Sequence, residues 1–286
     1  MNRIDAHHHV WDIVASEHQW LDGPEMKPIR RTFTLTDLAP LTEEAGITST
    51  VLVQVLPSLD ETREFLALAE GDDLVAGVVG WLDLTVPDTV AETLMDLLGG
   101  VGGHHLVGIR HLVQGEKDPA WLTRPDVLRG LHAVAEEGLA YDLLTLPHQL
   151  PAAIEAVRAV PELTFVLDHL SKPPIADGHL EPWATQIREL AKAPNVYCKL
   201  SGMVTEADPS IWKVADLRPY AEVVLEAFGP ERVMFGSDWP VCLLAASYTQ
   251  VVTAAEVLCA ELSPAEREAV FAGTATRAYR LPEQLT

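Results

Sequence analysis

The chain alternates between apolar, strand-like runs and helical patterns, and this alternation limits the fold more than any other feature. Eight strand-like runs occupy 4–10, 48–55, 75–81, 106–109, 140–144, 164–167, 196–200 and 232–235. Helical patterns lie between them at 36–45, 60–70, 88–98, 125–137, 150–160, 183–192 and 217–228, and two more follow at 247–261 and 263–276. Eight strands alternating with helices predict an α/β fold, a (β/α)8 barrel in a single domain over 1–286.

A doubly wound sheet is the alternative fold. No Gly-rich phosphate loop follows any of the strand-like runs, and the glycines at 99–103 precede a run, so they indicate a turn. The long polar stretch 11–33 after the first run is predicted to be a lid loop over the site, as loops after barrel strands often are. The segment 246–286 is predicted to form C-terminal helices.

The charge of the chain excludes several classes of partner. Asp and Glu number 42 against 20 Lys and Arg. Nucleic acids and anionic membrane surfaces require a basic face, so we expect neither as a partner. No apolar run approaches the roughly 18 residues of a membrane span. Polar residues interrupt the first run, whereas the core of a signal peptide is continuously apolar, so we expect no signal peptide there. Three cysteines without a CxxC pair are typical of a reducing compartment, which favours a cytoplasmic location.

A His-x-His motif ends the first strand-like run, and a lone Asp follows the last one. His7 and His9 share one face of a strand, whereas His8 points away. Two imidazoles on one face can bind a metal ion or polarise a carbonyl group. The carboxylate of Asp238, about 230 residues later, can complete such a site as a base.

Polar or aromatic side chains stand at the carboxyl end of nearly every strand-like run. In a barrel these ends meet at one mouth, where the chemistry of such folds takes place. The candidates beyond the histidine pair are Gln54, Trp81, Asp83, Arg110, His111, Tyr141, Asp142, Asp168, His169, Lys199, Ser201 and Asp238. Each also has a structural interpretation: core packing for the aromatic residues, an ion pair for Arg110 or Lys199, and a helix cap for Asp238.

Five segments carry a family resemblance: DAHHHVW at 5–11, GIRH at 108–111, VLDHLSKP at 166–173, VYCKLSG at 196–202 and MFGSDWPV at 234–241. With them the chain resembles the amidohydrolase superfamily, specifically its sugar-lactonase branch, over essentially its whole length. The resemblance implies a distorted (β/α)8 TIM barrel and the hydrolysis of an aldonolactone, such as L-fuconolactone or L-rhamnonolactone. Related enzymes open a pyrone dicarboxylate lactone.

The sequence departs from the superfamily where its metal-dependent members bind two ions. Those members place a bridging Lys or Glu after strand four and a His after strand five, but this chain has Arg110 and Tyr141-Asp142 there. A binuclear centre would lack its bridge and a ligand. A single zinc is chemically possible, and its ligands would be His7, His9, His169 and Asp238. Because Arg110 and Lys199 can supply positive charge, and because the lactonase branch implies turnover without metal, we expect no required cofactor.

The expected chemistry is attack of water on the lactone carbonyl, with Asp238 as the general base. The oxyanion would face His7, His9, His169 or Arg110, and the sequence leaves open which of them stabilises it. These five residues are the predicted catalytic set. The predicted substrate contacts are His111, Lys199, Gln54, Ser201, Trp81 and Tyr141.

Three alternatives remain. A pyrone-dicarboxylate-type lactonase would need several cations, and the candidates are Arg110, Lys199, Lys172 and the pair Arg30-Arg31 of the predicted lid. These cations are few for a dicarboxylated substrate in so acidic a protein, so the small-molecule partner that we prefer is a neutral polyhydroxylated lactone. The second alternative is a metal-dependent hydrolase or decarboxylase of the same superfamily, and the third is a catalytically silent sugar-binding barrel. The sequence does not indicate the oligomeric state.

Overall fold

The computed structural model describes residues 2–282 and shows eight parallel strands in sequential order, each paired with the next. The strands are β1 (Ile4–His8), β2 (Ser49–Val53), β3 (Val75–Gly80), β4 (Leu106–His111), β5 (Ala140–Leu143), β6 (Thr164–Leu167), β7 (Val196–Leu200) and β8 (Val233–Phe235). The prediction of a single-domain (β/α)8 barrel is confirmed, and the doubly wound alternative is wrong.

Helices follow the strands and form the outer layer of the barrel. They are α1 (Leu35–Ala45), α2 (Leu59–Glu70), α3 (Pro87–Gly99), α4 (Pro125–Glu136), α5 (Leu150–Ala159), α6 (Trp183–Leu190), α7 (Met203–Glu206), α8 (Val214–Phe228), α9 (Tyr248–Leu258), α10 (Pro264–Glu268) and α11 (Thr274–Tyr279). Within residues 2–282, no helix has both the length and the apolar composition to cross a membrane.

The strands are buried on both faces, which explains why their sequences read as continuous apolar runs. In β2, Val51 and Val53 face the barrel interior, whereas Leu52 packs against the helical layer. The same division repeats around the barrel, so one apolar cluster fills its axis and a larger one lies under the helices.

The C-terminal segment closes the lower end of the barrel. Between α10 and α11 the chain forms a π-helical turn, Ala269–Gly273, and Tyr279 and Leu281 then pack into the interior cluster. Within the predicted C-terminal segment 246–286 the structure has the helices α9, α10 and α11, and residues 283–286 lie outside the described part.

The seam between β8 and β1 is closed by an irregular set of hydrogen bonds. The backbone N–H of Asp238 donates to the His7 carbonyl (2.8 Å), and that of His9 donates to the Trp239 carbonyl (2.7 Å). Below them, the buried Asp5 carboxylate accepts hydrogen bonds from the Ser237 N–H (2.8 Å) and the Tyr248 hydroxyl (3.0 Å). Asp5 also accepts from the His7 N–H at 3.2 Å, and burial raises the pKa of its carboxyl to about 6. The Asp5 side chain therefore supplies at this seam hydrogen bonds that backbone groups supply between the other strands.

The first strand ends earlier than the sequence indicated. β1 stops at His8, and its register with β2 shifts between Asp5 and His8, so the prediction of a strand through Val10 is wrong. The chain leaves the ladder because His9 bonds to Trp239 across the seam. The predicted division of the histidines still holds: the Nε2 atoms of His7 and His9 lie 3.2 Å apart, and His8 bonds to Thr50 instead (2.9 Å).

Replacing Asp5 with Ala should destabilise the barrel strongly. The change leaves two buried backbone N–H groups without an acceptor, and each such group costs about 1–3 kcal/mol. We expect the free energy of unfolding in urea to fall by about 3–5 kcal/mol. Tyr248→Phe removes a single donor from the same carboxylate and should cost about 1 kcal/mol. Equal losses in the two variants would contradict this account of the seam.

Candidate active site

A cleft of about 490 Å³ opens at the carboxyl ends of the strands. Its floor carries four polar groups from four strand ends: His9, Arg110, His169 and Asp238. Its walls are largely apolar, and they comprise Trp11, Trp20, Met26, Val55, Leu56, Pro57, Leu112, Leu144 and Val241, together with Glu17, Gln19, Gln114 and Lys172.

One wall of the cleft is built by the segment 11–33. Trp11 and Phe33 form an antiparallel bridge at its two ends, so the segment is a closed loop on the barrel mouth. The indole of Trp11 meets the Trp20 indole and the Phe33 phenyl ring edge to face, at centroid distances of 5.2 and 5.4 Å. The predicted lid thus lies beside the site, and its opening and closing stay a prediction.

Asp238 is surrounded by three imidazoles, and we call these four groups the Asp238 cluster. The carboxylate oxygen Oδ1 lies 3.5 Å from Nε2 of His9 and 3.8 Å from Nε2 of both His7 and His169. His7 is fully buried beneath the cleft floor. The arrangement joins the first strand, the sixth strand and the end of the eighth, as the His-x-His motif and the lone Asp predicted.

Two features of the chain after β8 place Asp238. Gly236 packs against His7 so closely that a Cβ at this position would lie 2.7 Å from the Cβ of His7. Asp238 itself has a positive φ of 56°, a conformation that costs a non-glycine residue about 1–2 kcal/mol. The seam bonds of residues 237–239 hold it there, and such strain is typical of functional sites.

His169 begins a left-handed turn of four residues. The φ angles of His169, Leu170, Ser171 and Lys172 are 51°, 55°, 58° and 51°. The turn is held by the Trp183 indole, which donates to the Leu170 carbonyl (2.7 Å), and by a bond between the hydroxyls of Ser171 and Thr145 (2.8 Å). Because of this turn, both His169 and Lys172 reach the cleft.

Hydrogen bonds behind the rings fix two of the imidazoles. Nδ1 of His9 lies 2.7 Å from the Val53 carbonyl oxygen, which can only accept, so this nitrogen carries the hydrogen and Nε2 holds a lone pair. Nδ1 of His169 bonds to the Ser201 hydroxyl at 2.8 Å. Ser201 therefore orients a site histidine, and it does not line the cleft.

Beneath the floor lies a buried network of charges. The Lys199 ammonium is 2.6 Å from Asp142 Oδ2 and 2.9 Å from Asp168 Oδ1, and all three side chains are fully buried. Arg110 donates to Asp168 (3.0 Å) and, through Nε, to the amide oxygen of Gln54 (3.1 Å). The Tyr279 hydroxyl from α11 lies 2.8 Å from both Asp142 oxygens. Two cations thus balance two anions, which makes their burial tolerable.

The electrostatics leave His7 and His169 neutral and the Asp238 carboxylate ionised at neutral pH. Burial lowers the pKa of His7 well below its usual value, with a further contribution from Lys199, and burial lowers that of His169 to about 4. Burial opposes ionisation of Asp238, but His169 and His9 outweigh it and hold the pKa of the carboxyl below its ordinary value. Asp238 is therefore ionised at neutral pH and can take up a proton in the cleft floor.

Like Ser201 and Gln54, the other four predicted substrate contacts lie outside the cleft lining. The Lys199 ammonium forms ion pairs with Asp142 and Asp168 inside the barrel. Tyr141 points outward into the core beneath the helices, where it packs against Phe165. The Trp81 indole donates to Nδ1 of His111 (3.1 Å), and His111 stacks on Trp121 with its other nitrogen on Glu116 (2.8 Å). These positions correct the expectation that Lys199, Tyr141, Trp81 and His111 face the substrate.

Gln54 and Arg110 are brought together as a unit. Gln54 accepts hydrogen bonds from Nε and Nη2 of the guanidinium and holds Arg110 at the floor. The cleft residues missed in the sequence lie beyond the strand ends, and they include Met26, Val55, Leu56, Pro57, Leu112, Gln114, Leu144 and Val241. Extending the search a few residues past each strand would have found Leu112 and Gln114. The sequence around Tyr279 gave no sign that this residue takes part, because it reaches the buried charge network from the opposite end of the barrel.

The Asp238 cluster fits the donor set of a zinc ion. Ligand atoms around a tetrahedral zinc lie about 3.3 Å apart, given bonds of 2.0–2.1 Å. The cluster's donor atoms are separated by 3.2 Å (His7 to His9), 3.5 Å (His9 to Asp238) and 3.8 Å (His7 and His169 to Asp238). Three nitrogens and a carboxylate oxygen are ligands that zinc accepts. The donor atoms of His7, His169 and Asp238 all lie within 4.8 Å of one another, and His9 adjoins two of them, His7 and Asp238.

Imidazoles and a carboxylate at the mouth of an eight-stranded barrel form the kind of site found in hydrolytic barrel enzymes. The chain matches the amidohydrolase family over residues 4–281 and belongs to that family. It is 38% identical to an L-fucono-1,5-lactonase from Burkholderia ambifaria over 98% of this chain and 96% of that protein. An L-fucono-1,5-lactonase from Burkholderia multivorans is 40% identical, over 98% of this chain and 97% of that one.

A solved structure has the same architecture. It is the crystal structure of an amidohydrolase from Burkholderia multivorans with bound zinc, 40% identical to this chain. It covers 99% of this chain and 100% of its own, with a TM-score of 0.92. A protein this similar therefore takes up the metal whose donor set the Asp238 cluster provides.

Gly236→Ala should damage the cluster at its closest packing point. The added methyl meets the Cβ of His7 at 2.7 Å, so one of the two must shift. Overpacking of this kind costs about 1–3 kcal/mol of unfolding free energy, measurable in urea, and zinc affinity should fall as well. Gly99→Ala is the control, because a Cβ there meets nothing within 4 Å. A stable Gly236→Ala variant with unchanged zinc affinity would contradict this account.

Proposed function

We propose that this protein hydrolyses a sugar-derived lactone, an aldonolactone such as L-fuconolactone or L-rhamnonolactone, to the open sugar acid. The observation that carries the proposal is the ionised Asp238 carboxylate among three imidazoles in the floor of the cleft. The two lactonases that are 38% and 40% identical over nearly the whole chain support the choice of substrate class. The protein is thus a hydrolase that acts on a cyclic carboxylic ester.

Asp238 acts as the general base in the first step. It takes a proton from a water molecule as the water oxygen attacks the carbonyl carbon of the lactone, and the carbonyl oxygen becomes an oxyanion. When the intermediate collapses, the bond between this carbon and the ring oxygen breaks. Asp238 returns its proton to the departing ring oxygen, so one water is added and an open hydroxy acid is released.

Arg110 supplies fixed positive charge next to the developing oxyanion. Its guanidinium is held by Gln54 and Asp168, so it does not have to reorganise during the reaction. His9 and His169 line the floor beside it. His7, beneath the floor, positions His9 and Asp238.

The cleft favours a neutral lactone over a dicarboxylated one. Arg110 and Lys172 are the cations of its lining, and Lys172 lies 3.8 Å from Glu206. Arg30 and Arg31 pair with Asp22 and Asp37 and do not line the cleft. Apolar walls that include Trp20 and Met26 suit the carbon face of a sugar ring. A pyrone dicarboxylate would need more positive charge than this.

Zinc bound by His7, His9, His169 and Asp238 would polarise the carbonyl or the attacking water. We propose that turnover does not require it, since Arg110 supplies positive charge. The assay therefore has two arms, with chelator and with added zinc, over a panel of aldonolactones and a buffer blank. Activity that vanishes with chelator and returns with zinc would favour the metal-dependent alternative, and stoichiometric binding without turnover would favour a sugar-binding barrel.

Asp238→Asn should lower kcat for the lactone by about 10²–10⁴-fold, the usual contribution of a general base. The amide cannot accept the proton of water, and the fold should survive because the seam bonds use the backbone of this residue. Asp83→Asn is the matched control, a carboxylate after β3 whose bonds to Thr85 an amide can keep. Near-normal turnover in Asp238→Asn would remove this residue from the mechanism.

The pH profile provides a separate check. Since Asp238 has a pKa below its ordinary value and is active when ionised, activity is retained above that pKa and is lost only as the pH falls through it. We expect kcat/KM to stay level from pH 7 down to about pH 5, one unit above the ordinary pKa of an Asp. An acid limb centred near pH 6 would indicate another base. Far-UV circular dichroism at each pH controls for unfolding.

A further inference from the structure

We infer that Lys199 is a positioning residue that fixes the tautomer of His7, and that this placement of one hydrogen limits how tightly the Asp238 cluster binds zinc. Lys199 reaches neither the cleft nor Asp238. It acts through the far side of the His7 ring.

The contact between Lys199 and His7 sets the direction of the hydrogen bond. The Lys199 Nζ atom lies 3.0 Å from Nδ1 of His7, deep in the barrel. Asp142 and Asp168 lie 2.6 and 2.9 Å from the same Nζ, and two carboxylates at such distances keep a lysine charged. An ammonium group has no lone pair and can only donate. Nδ1 of His7 must therefore accept, and the hydrogen of the neutral ring sits on Nε2.

The neighbouring histidine independently favours the same tautomer. Nδ1 of His9 donates to the Val53 carbonyl, which leaves a lone pair on its Nε2. This lone pair lies 3.2 Å from Nε2 of His7, where a hydrogen on His7 completes a bond. A chain of donors then runs from Lys199 to His7, from His7 to His9 and from His9 to Val53.

Two longer contacts favour the opposite tautomer. Asp168 Oδ1 lies 3.3 Å from Nδ1 of His7, and Nη1 of Arg110 lies 3.4 Å from its Nε2. Asp168 is already paired with both Lys199 and Arg110. The shorter contacts of His7 with Lys199 and His9 therefore determine its tautomer. Asp168 becomes the hydrogen-bond partner of His7 only when Lys199 is removed.

This hydrogen opposes zinc, because a metal ion needs a lone pair on Nε2 of His7. Zinc binding must move the hydrogen to Nδ1 and break the bond from Lys199. In zinc-free protein, the same hydrogen bonds to Nε2 of His9 and holds that ring beside Asp238. The role of this hydrogen in catalysis rests on the proposed lactonase function, whereas its effects on the tautomer of His7 and on zinc affinity do not.

The experiment compares wild type with Lys199→Met/Asp142→Asn, in which one cation and one anion are removed together. Asp142→Asn alone keeps the lysine and is the matched control. Histidine-labelled protein is freed of zinc, and long-range ¹H–¹⁵N spectra report which nitrogen of His7 carries hydrogen. Zinc affinity is measured in competition with a chromogenic chelator.

In wild type we expect hydrogen on Nε2 of His7, which moves to Nδ1 when zinc saturates the protein. In the double variant we expect hydrogen on Nδ1, bonded to Asp168, without zinc. Since a hydrogen bond from a charged group no longer has to be broken, zinc should bind about 10–100-fold more tightly. Asp142→Asn should show the wild-type tautomer and no gain in affinity.

Hydrogen on Nδ1 of His7 in zinc-free wild type would overturn the inference. A double variant with the shifted tautomer but no tighter zinc binding would overturn the link to the metal. If the double variant does not fold, the wild-type spectra with and without zinc decide alone. None of these measurements uses a lactone, so their failure is distinguishable from failure of the proposed function.

Discussion

The closure of the barrel between its last and first strands is the constraint on which the site depends. β8 has three residues, so regular ladder bonds cannot carry the chain as far as Asp238. Backbone bonds from His9 and Asp238, and the buried Asp5 carboxylate, hold the two strand ends together. The same bonds that close the barrel therefore bring the base within 4 Å of the imidazoles. Stability and catalytic geometry share one set of contacts here.

The barrel interior holds charge because the charges balance. Lys199 and Arg110 face Asp142 and Asp168, and the Tyr279 hydroxyl takes up remaining acceptor capacity. An unpaired buried ion would be strongly destabilising, whereas a saturated network positions its members firmly. The lysine at the end of an apolar strand thus serves the site from below, through the ring above it. The cost of the left-handed turn at His169 is likewise offset by bonds outside the cleft, from Trp183 and Thr145.

The accuracy of the sequence interpretation varied with the range of the interactions involved. His7, His9, His169, Arg110 and Asp238 were found because a strand has a period of two and a parallel barrel gathers its strand ends at one mouth. Of the other residues expected there, Tyr141 and Lys199 are buried inside the fold, and Trp81 and His111 bond to each other outside the cleft lining. A position at a strand end does not tell whether a side chain points into the cleft, into the axis or toward the helices, because register shifts and neighbouring side chains decide that.

The sequence by itself determined the eight strands, the helices between them, and which residue types could perform hydrolysis. These properties depend on local periodicity and on the chemistry of single side chains, both of which a linear chain displays. Only the tertiary structure decided the seam at Asp5, the pairing of Tyr279 with Asp142, and the walls supplied by Trp20 and Leu144. Those contacts join residues far apart in the chain, and their energies depend on burial and distance, which exist only once the barrel has closed.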